Sequence, residues 1–150
     1  MTKYIWITVG VIALVLILAF KQAPKEPSFA EATEGEAATS EIGEPVVSQS
    51  GNIKVSQPQV DSLVSSPLLV KGEARVFENT FQMVLKDADG KEVVKKTATA
   101  AASDVGQFGA FGELLLFDQP KTDTGTLEVF DYSAKDGAVQ DLVQIPVKFK

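Results

Sequence analysis

The chain of 150 residues contains no cysteine and no histidine. Without cysteine there can be no disulfide framework, no thiolate metal site, no thiol nucleophile and no lipidated N-terminal cysteine. Without histidine, zinc enzymes, Ser-His-Asp hydrolases and most acid–base sites that work at neutral pH lose their usual central residue. A basic patch is missing as well. The formal net charge is −6, and no region carries the clustered lysine and arginine that neutralises phosphates. These absences point away from catalysis, cofactor or metal chemistry, and nucleic acid. No catalytic, cofactor-binding or metal-binding residue is assigned.

The charge that is present falls into three blocks. Met1 to Lys21 holds two lysines and no acid; Gln22 to Ser50 holds one lysine against six glutamates; Gly51 to Lys150 holds eleven bases against fourteen acids. Composition changes at the same places. Tyr4 to Phe20, YIWITVGVIALVLILAF, is uncharged and apolar between Lys3 and Lys21. As a helix rising about 1.5 Å per residue it would span roughly 25 Å, slightly short of a bilayer core. Flanking lysines can snorkel, and Tyr4 and Trp6 suit an interface. Apolar residues run all round such a helix, so an amphipathic surface helix is not indicated. A cleaved signal peptide competes with a retained anchor. Cleavage wants small residues just after the apolar core, and Pro24 follows Ala23 there, so a transmembrane signal-anchor over residues 1–21 is the preferred reading. The expected topology is single-pass in the cell membrane with the domain outside the cytoplasm.

Residues 22–51 have Pro24, Pro27 and Pro45, glutamates at 26, 31, 34, 36, 41 and 44, and no apolar periodicity. This reads as an acidic flexible linker. From Asn52 to Lys150 the period becomes two. Ile53 and Val55 open a short strand, and Val60 and Leu63 lie in a connection to Ser65-Ser66-Pro67. From Leu68 to Phe77, Leu68, Val70, Gly72, Ala74 and Val76 share one face; Lys71, Glu73 and Arg75 share the other. Gly72 on the inner face predicts a bulge or a close backbone approach. Phe81, Met83 and Leu85 continue the core. Lys91–Ala98 reads as a lysine-rich edge strand and Ala100–Gly109 as a loop. Phe111–Phe117 is a strand with Phe111 inward and Glu113 near the rim. Leu127–Tyr132 and Val143–Phe149 complete the set. Pro146 lacks an N–H, so its strand lies at an edge or points the missing donor at solvent. About seven short antiparallel strands separated by turns predict an all-β, immunoglobulin-like sandwich, preceded by one transmembrane helix and a disordered linker.

Five features invite a functional reading. Asp87-Ala88-Asp89-Gly90 opens like a calcium loop, but Glu92 is too near to be the distal bidentate acid, so a hairpin turn is expected. Glu78 is either a ligand-binding carboxylate or a side chain accepting backbone N–H bonds at a strand corner, and the second is preferred. Tyr132 either bonds backbone as a corner tyrosine or covers the sandwich. Phe108, Phe111 and Phe117 could line a groove, although such aromatics are usually core. Serine and lysine are common enough for a Ser–Lys dyad, yet no spacing singles one out.

SPLLVKGEARVFENTF at 66–81 resembles the bacterial spore germination immunoglobulin-like domain family, one of the GerM-associated domains. The Asp89-Gly90 turn, GQFGAFGELLLF at 106–117, GTLEVFDYSAKDG at 125–137 and IPVKF at 145–149 extend the resemblance in the same order. It implies a non-catalytic β-sandwich module of envelope proteins, often set beside other domains. The expected function is therefore a membrane-tethered, non-catalytic, extracytoplasmic module that binds a protein or cell-wall partner, with the membrane contacted through the N-terminal helix. A self-assembling, pilin-like surface subunit is the alternative, and an envelope enzyme a more distant one. No acid interrupts the apolar run and no prepilin-type glycine precedes it, which disfavours the pilin-like reading.

Overall fold

The computed structural model describes residues 43–150. The expected anchor at 1–21 and most of the expected linker lie outside these residues. Nine strands form: β1 (Val46–Val47), β2 (Ile53–Gln57), β3 (Ser62–Val64), β4 (Leu68–Ala74), β5 (Thr80–Asp87), β6 (Glu92–Thr99), β7 (Gly109–Leu115), β8 (Thr124–Tyr132) and β9 (Val139–Phe149). They make a four-stranded sheet, β1-β2-β4-β7, and a five-stranded sheet, β3-β9-β8-β5-β6. Among the described residues no helix is long and apolar enough to cross a membrane.

Alternation decides which residues the sheets bury between them. Ile53, Val55, Val70, Ala74 and Leu115 line one inner face; Phe81, Met83, Leu85, Val129 and Ile145 line the other, and all are essentially inaccessible to water. Burying each large side chain is worth about 1.5–3 kcal/mol, which is what holds a sandwich without disulfides together. The Val143, Ile145, Val147 and Phe149 face is buried as its period predicts.

Gly72 sits at a close approach within the four-stranded sheet. A Cβ there would meet the Lys54 carbonyl oxygen and the tip of the Phe111 ring. Beside it the β2–β4 register slips between Val55 and Gln57. Both expectations for this glycine, close approach and a bulge, are met at one place. The space it leaves lets Phe111 lie against Phe81, with ring centroids 4.7 Å apart.

Phe111 and Leu115 face inward, and Glu113 lies at the rim, as expected. There Glu113 receives Lys96 of β6 at 2.8 Å. The same ammonium donates to the Leu114 carbonyl at 3.2 Å. Lys96 pairs opposite inward-facing Met83, so it leans across the open side of the sandwich, from one edge strand to the other. An inward-leaning charge on an edge discourages pairing with a foreign strand.

The structure differs from the sequence reading in five places. First, β1 lies inside the stretch read as linker and pairs with β2. Two residues cannot display a period, so only the tertiary pairing reveals them. Second, Ser62–Val64, read as connection, forms β3 and runs parallel to β9. Third, β4 stops at Ala74, leaving Val76 half-buried and Phe77 exposed. Fourth, β9 is not an edge strand along its whole length, because β3 covers its last residues. Pro146 stands where that cover begins: its carbonyl accepts Asp61 N–H at 2.8 Å, on the side away from β8. Fifth, β8 pairs with β9 with a slip, so that Asp141 and Leu142 together face Phe130. Asp141 takes a positive φ of 55° to make that bulge.

Candidate functional site

The sandwich has two ends, and strand register says which residues belong to each. At one end Leu68 starts β4 opposite Leu115; at the other Ala74 ends β4 opposite Ile53 and Gly109. Seven residues at about 3.3 Å each separate the ends by roughly 20 Å. The described chain starts at the first end, where Gln59 donates a side-chain hydrogen bond to the Gly43 carbonyl. Because the expected linker precedes Gly43, we call it the tether end. The other, distal end gathers the β1–β2 turn, the corner after β4, the loop before β7 and the β8–β9 hairpin.

The corner after β4 is built from Phe77, Glu78 and Asn79, a single 3-10 turn. Glu78 and Asn79 both have positive φ, 53° and 57°. Left-handed backbone costs a non-glycine residue about 1–2 kcal/mol, and Asn79 tolerates it better than Glu78. Three backbone hydrogen bonds close the corner: Asn79 N–H to the Val76 carbonyl at 3.1 Å, Thr80 N–H to the Phe77 carbonyl, and Ala100 N–H to the Asn79 carbonyl at 2.8 Å. The consequence is that Phe77 is held out with 64% of its surface exposed. Strain of this kind gathers where a chain presents a side chain for binding. The Glu78 carboxylate accepts no hydrogen bond among the described residues. The expectation that it caps backbone N–H groups is therefore corrected: the backbone turns the corner and the carboxylate stays free. Its carbonyl, rather than its side chain, is the acceptor, taking the Thr80 hydroxyl at 3.1 Å.

Next to the corner a polar chain ties the two sheets. Arg75 donates through Nε and Nη2 to Asn52 Oδ1 at 3.2 and 2.9 Å. Asn52 Nδ2 donates to Asp141 Oδ2 at 3.2 Å, and the Ser48 hydroxyl donates to Asp141 Oδ1 at 3.4 Å. Arg75 also lies 4.8 Å from the centre of the Phe108 ring, with Lys54 Nζ at 4.2 Å. Phe108 is thus flanked by two cations on the outer face of the four-stranded sheet, an arrangement favoured by the ring quadrupole. Asn52, Gln140 and Asp141 line an open depression beside this chain.

Asp131 closes the distal end of the core. It follows Leu127 and Val129 on the inner face of β8 and is 3% exposed. Gln140 Nε2 donates to its Oδ2 at 3.0 Å, while Oδ1 has no partner. Burial raises its pKa above the ordinary aspartate value, and the neighbouring Asp141 adds to the rise.

The remaining sequence candidates resolve as follows. Asp87 accepts Asp89 N–H at 3.1 Å and Lys91 N–H at 2.9 Å through Oδ1, and Gly90 has a φ of 77°. The Asp87 carboxylate is spent on a hairpin turn. Among the described residues no three acidic side chains gather to hold a metal. Tyr132 packs edge-on against Phe130 at 5.3 Å and lies under Lys95, covering the outer face of the five-stranded sheet. The three phenylalanines part company: Phe111 is core, Phe117 packs on Phe149 at 6.0 Å, and Phe108 is the surface ring between cations. No serine hydroxyl among the described residues is hydrogen-bonded to a lysine amine; their partners are other side chains and backbone.

Residues 52–138 match the family described as the immunoglobulin-like domain of bacterial spore germination. The chain belongs to that family. No curated protein matches it. In this germination-type immunoglobulin-like domain, the matched region contains the Phe77–Asn79 corner, Arg75, Asn52 and Phe108. Membership suggests a binding or structural module. Sequence reasoning had set Arg75 on an outward face with no site. What it missed was Asn52, whose side chain makes that arginine part of a network. A basic residue directly after a strand's last buried residue, two positions before an exposed aromatic, was the signal available.

Proposed function

We propose that the protein is a membrane-tethered, extracytoplasmic binding module that presents its distal end to a protein or cell-wall partner. The observation that carries this reading is the opposition of the two ends. The chain enters the domain at Gly43, beside Gln59, while Phe77 projects at the far end of β4. A tether on one end leaves the other free to meet a partner. Anchoring rests on the apolar run Tyr4–Phe20 with its flanking lysines. The reading is non-catalytic, and it draws on the character of the distal surface: an exposed aromatic, a flanked ring and hydrogen-bonding groups, the composition of small interface hot spots.

Two experiments test it. Protease added to intact cells releases the domain; full protection that vanishes on lysis rejects the topology. A photo-crosslinking side chain replacing Phe77 in living cells yields partner adducts, whereas one replacing Ser65 at the tether end does not. Equal adducts from both positions, or none from Phe77, reject the distal end as the binding surface.

A further inference from the structure

The tether end has a surface of its own. Leu69 on β4 and Leu114 on β7 stand directly opposite each other on the outer face of the four-stranded sheet. Leu116, two positions beyond Leu114, is 73% exposed. Leu63 on β3 is 63% exposed. Between Leu63 and Leu69 runs a groove of about 390 Å³ whose walls include Pro58 and Pro67, and none of its lining residues carries a charge. In a chain with 23% charged residues, an uncharged stretch rimmed by exposed leucines stands apart. Gln59, which holds the Gly43 carbonyl, is one wall of the same groove.

The described residues begin beside this groove, and the rest of the chain precedes them. Between Lys21 and Gly43 there are 21 residues. As a coil they reach roughly 25 Å, so an anchored domain stays within one molecular diameter of the bilayer. Tethering at that range acts as an effective concentration in the millimolar region, and a few leucines suffice for contact. The groove's own lining carries no lysine or arginine, so contact there does not depend on anionic headgroups.

We propose that the tether end rests on the lipid surface through Leu63, Leu69, Leu114 and Leu116, with the distal end turned outward. This rests on the membrane-anchored reading above. It adds an orientation: the module stands on its leucine end rather than swinging free on its linker.

The absence of cysteine allows a clean test. Full-length chain carrying Leu116→Cys or, separately, Val105→Cys is labelled with an environment-sensitive fluorophore and reconstituted into phosphatidylcholine vesicles. Val105 lies in the distal loop before β7 and is 93% exposed. The expected result is severalfold stronger quenching of the label at 116 than at 105 by lipid-borne nitroxides, and the reverse order with an aqueous quencher. If the chain floats with the vesicles but both labels are equally open to water, the orientation is wrong and the anchor stands. Shielding at 116 that is insensitive to lipid quencher, together with disulfide-linked dimers of the L116C chain, assigns the surface to a second copy and overturns the lipid contact. Failure to float overturns anchoring and contact together.

Discussion

The two ends of the sandwich solve different problems with the same strands. The tether end is uncharged at its groove, and a backbone group takes part in each bond that closes it: Lys150 N–H bonds the Val64 carbonyl, and Phe117 N–H bonds the Ser66 hydroxyl. The distal end is polar and strained. It is closed by side chains, with Arg75, Asn52, Asp141 and Ser48 linking sheet to sheet. Backbone closure depends little on residue identity. Side-chain closure depends on it entirely. The distal end is therefore the one whose shape and charge change with its side chains, which is the property a recognition surface needs.

Five substitutions probe that contrast, beginning with the largest effect. Phe111→Ala removes the ring that fills the space over Gly72 and packs at a tilt against Phe81. It costs about 3–5 kcal/mol by chemical denaturation. A loss below about 1 kcal/mol would mean that this ring does not support the fold beneath the distal corner. Arg75→Ala removes a charge-assisted bond and the packing against Phe108, and costs about 1 kcal/mol. Lys71→Ala, on the same outward face but nearer the tether end, stays within about 0.5 kcal/mol. Equal losses in thermal melts would erase the distinction between the ends.

Asp131 gives the contrast a pH dependence. Its folded pKa is raised, so the folded state binds the proton more tightly than the unfolded chain does. Its contribution is therefore fully favourable below the ordinary value near 3.8 and is lost as pH rises through the raised value. Asp131→Asn should flatten this part of the stability profile and stabilise the domain at pH 8 by an amount on the order of 1 kcal/mol. Parallel melting curves of the two proteins across the acid range would show instead that the carboxylate is solvated. The smallest effect concerns the strained corner. Glu78→Gly relieves a left-handed residue and raises stability by about 0.5 kcal/mol. If crosslinking through position 77 weakens in the same variant, the strain is what presents Phe77.

Much of the fold was legible because burial on one side of a sheet imposes a period of two. Val70, Phe81, Met83 and Ile145 announce themselves this way. Gly72 was legible too, since a glycine on a buried face needs a reason. Strands of two or three residues, such as Val46–Val47 and Ser62–Val64, carry too few positions to show any period. The distal network was hidden for another cause. Arg75 and Asp141 lie 23 and 89 positions from Asn52, and nothing local marks residues that meet only when two sheets stack. Phe108 and Phe111 differ by three positions, and only the end of the loop at Gly109 decides that one faces water and the other the core.

The stretch Ser66–Phe81 shows where the division falls. Its alternation by itself determined a half-buried strand, its core face and its family, because local sterics and the hydrophobic effect act on each residue in turn. Tertiary structure alone decided that β4 stops at Ala74, that the next residues turn a left-handed corner, and that Phe77 is left in water. The physical reason is that a strand continues only while a neighbour takes its hydrogen bonds. Beyond Ala74 the last bond goes from Arg75 N–H to the Asn52 carbonyl, and no further ladder partner follows.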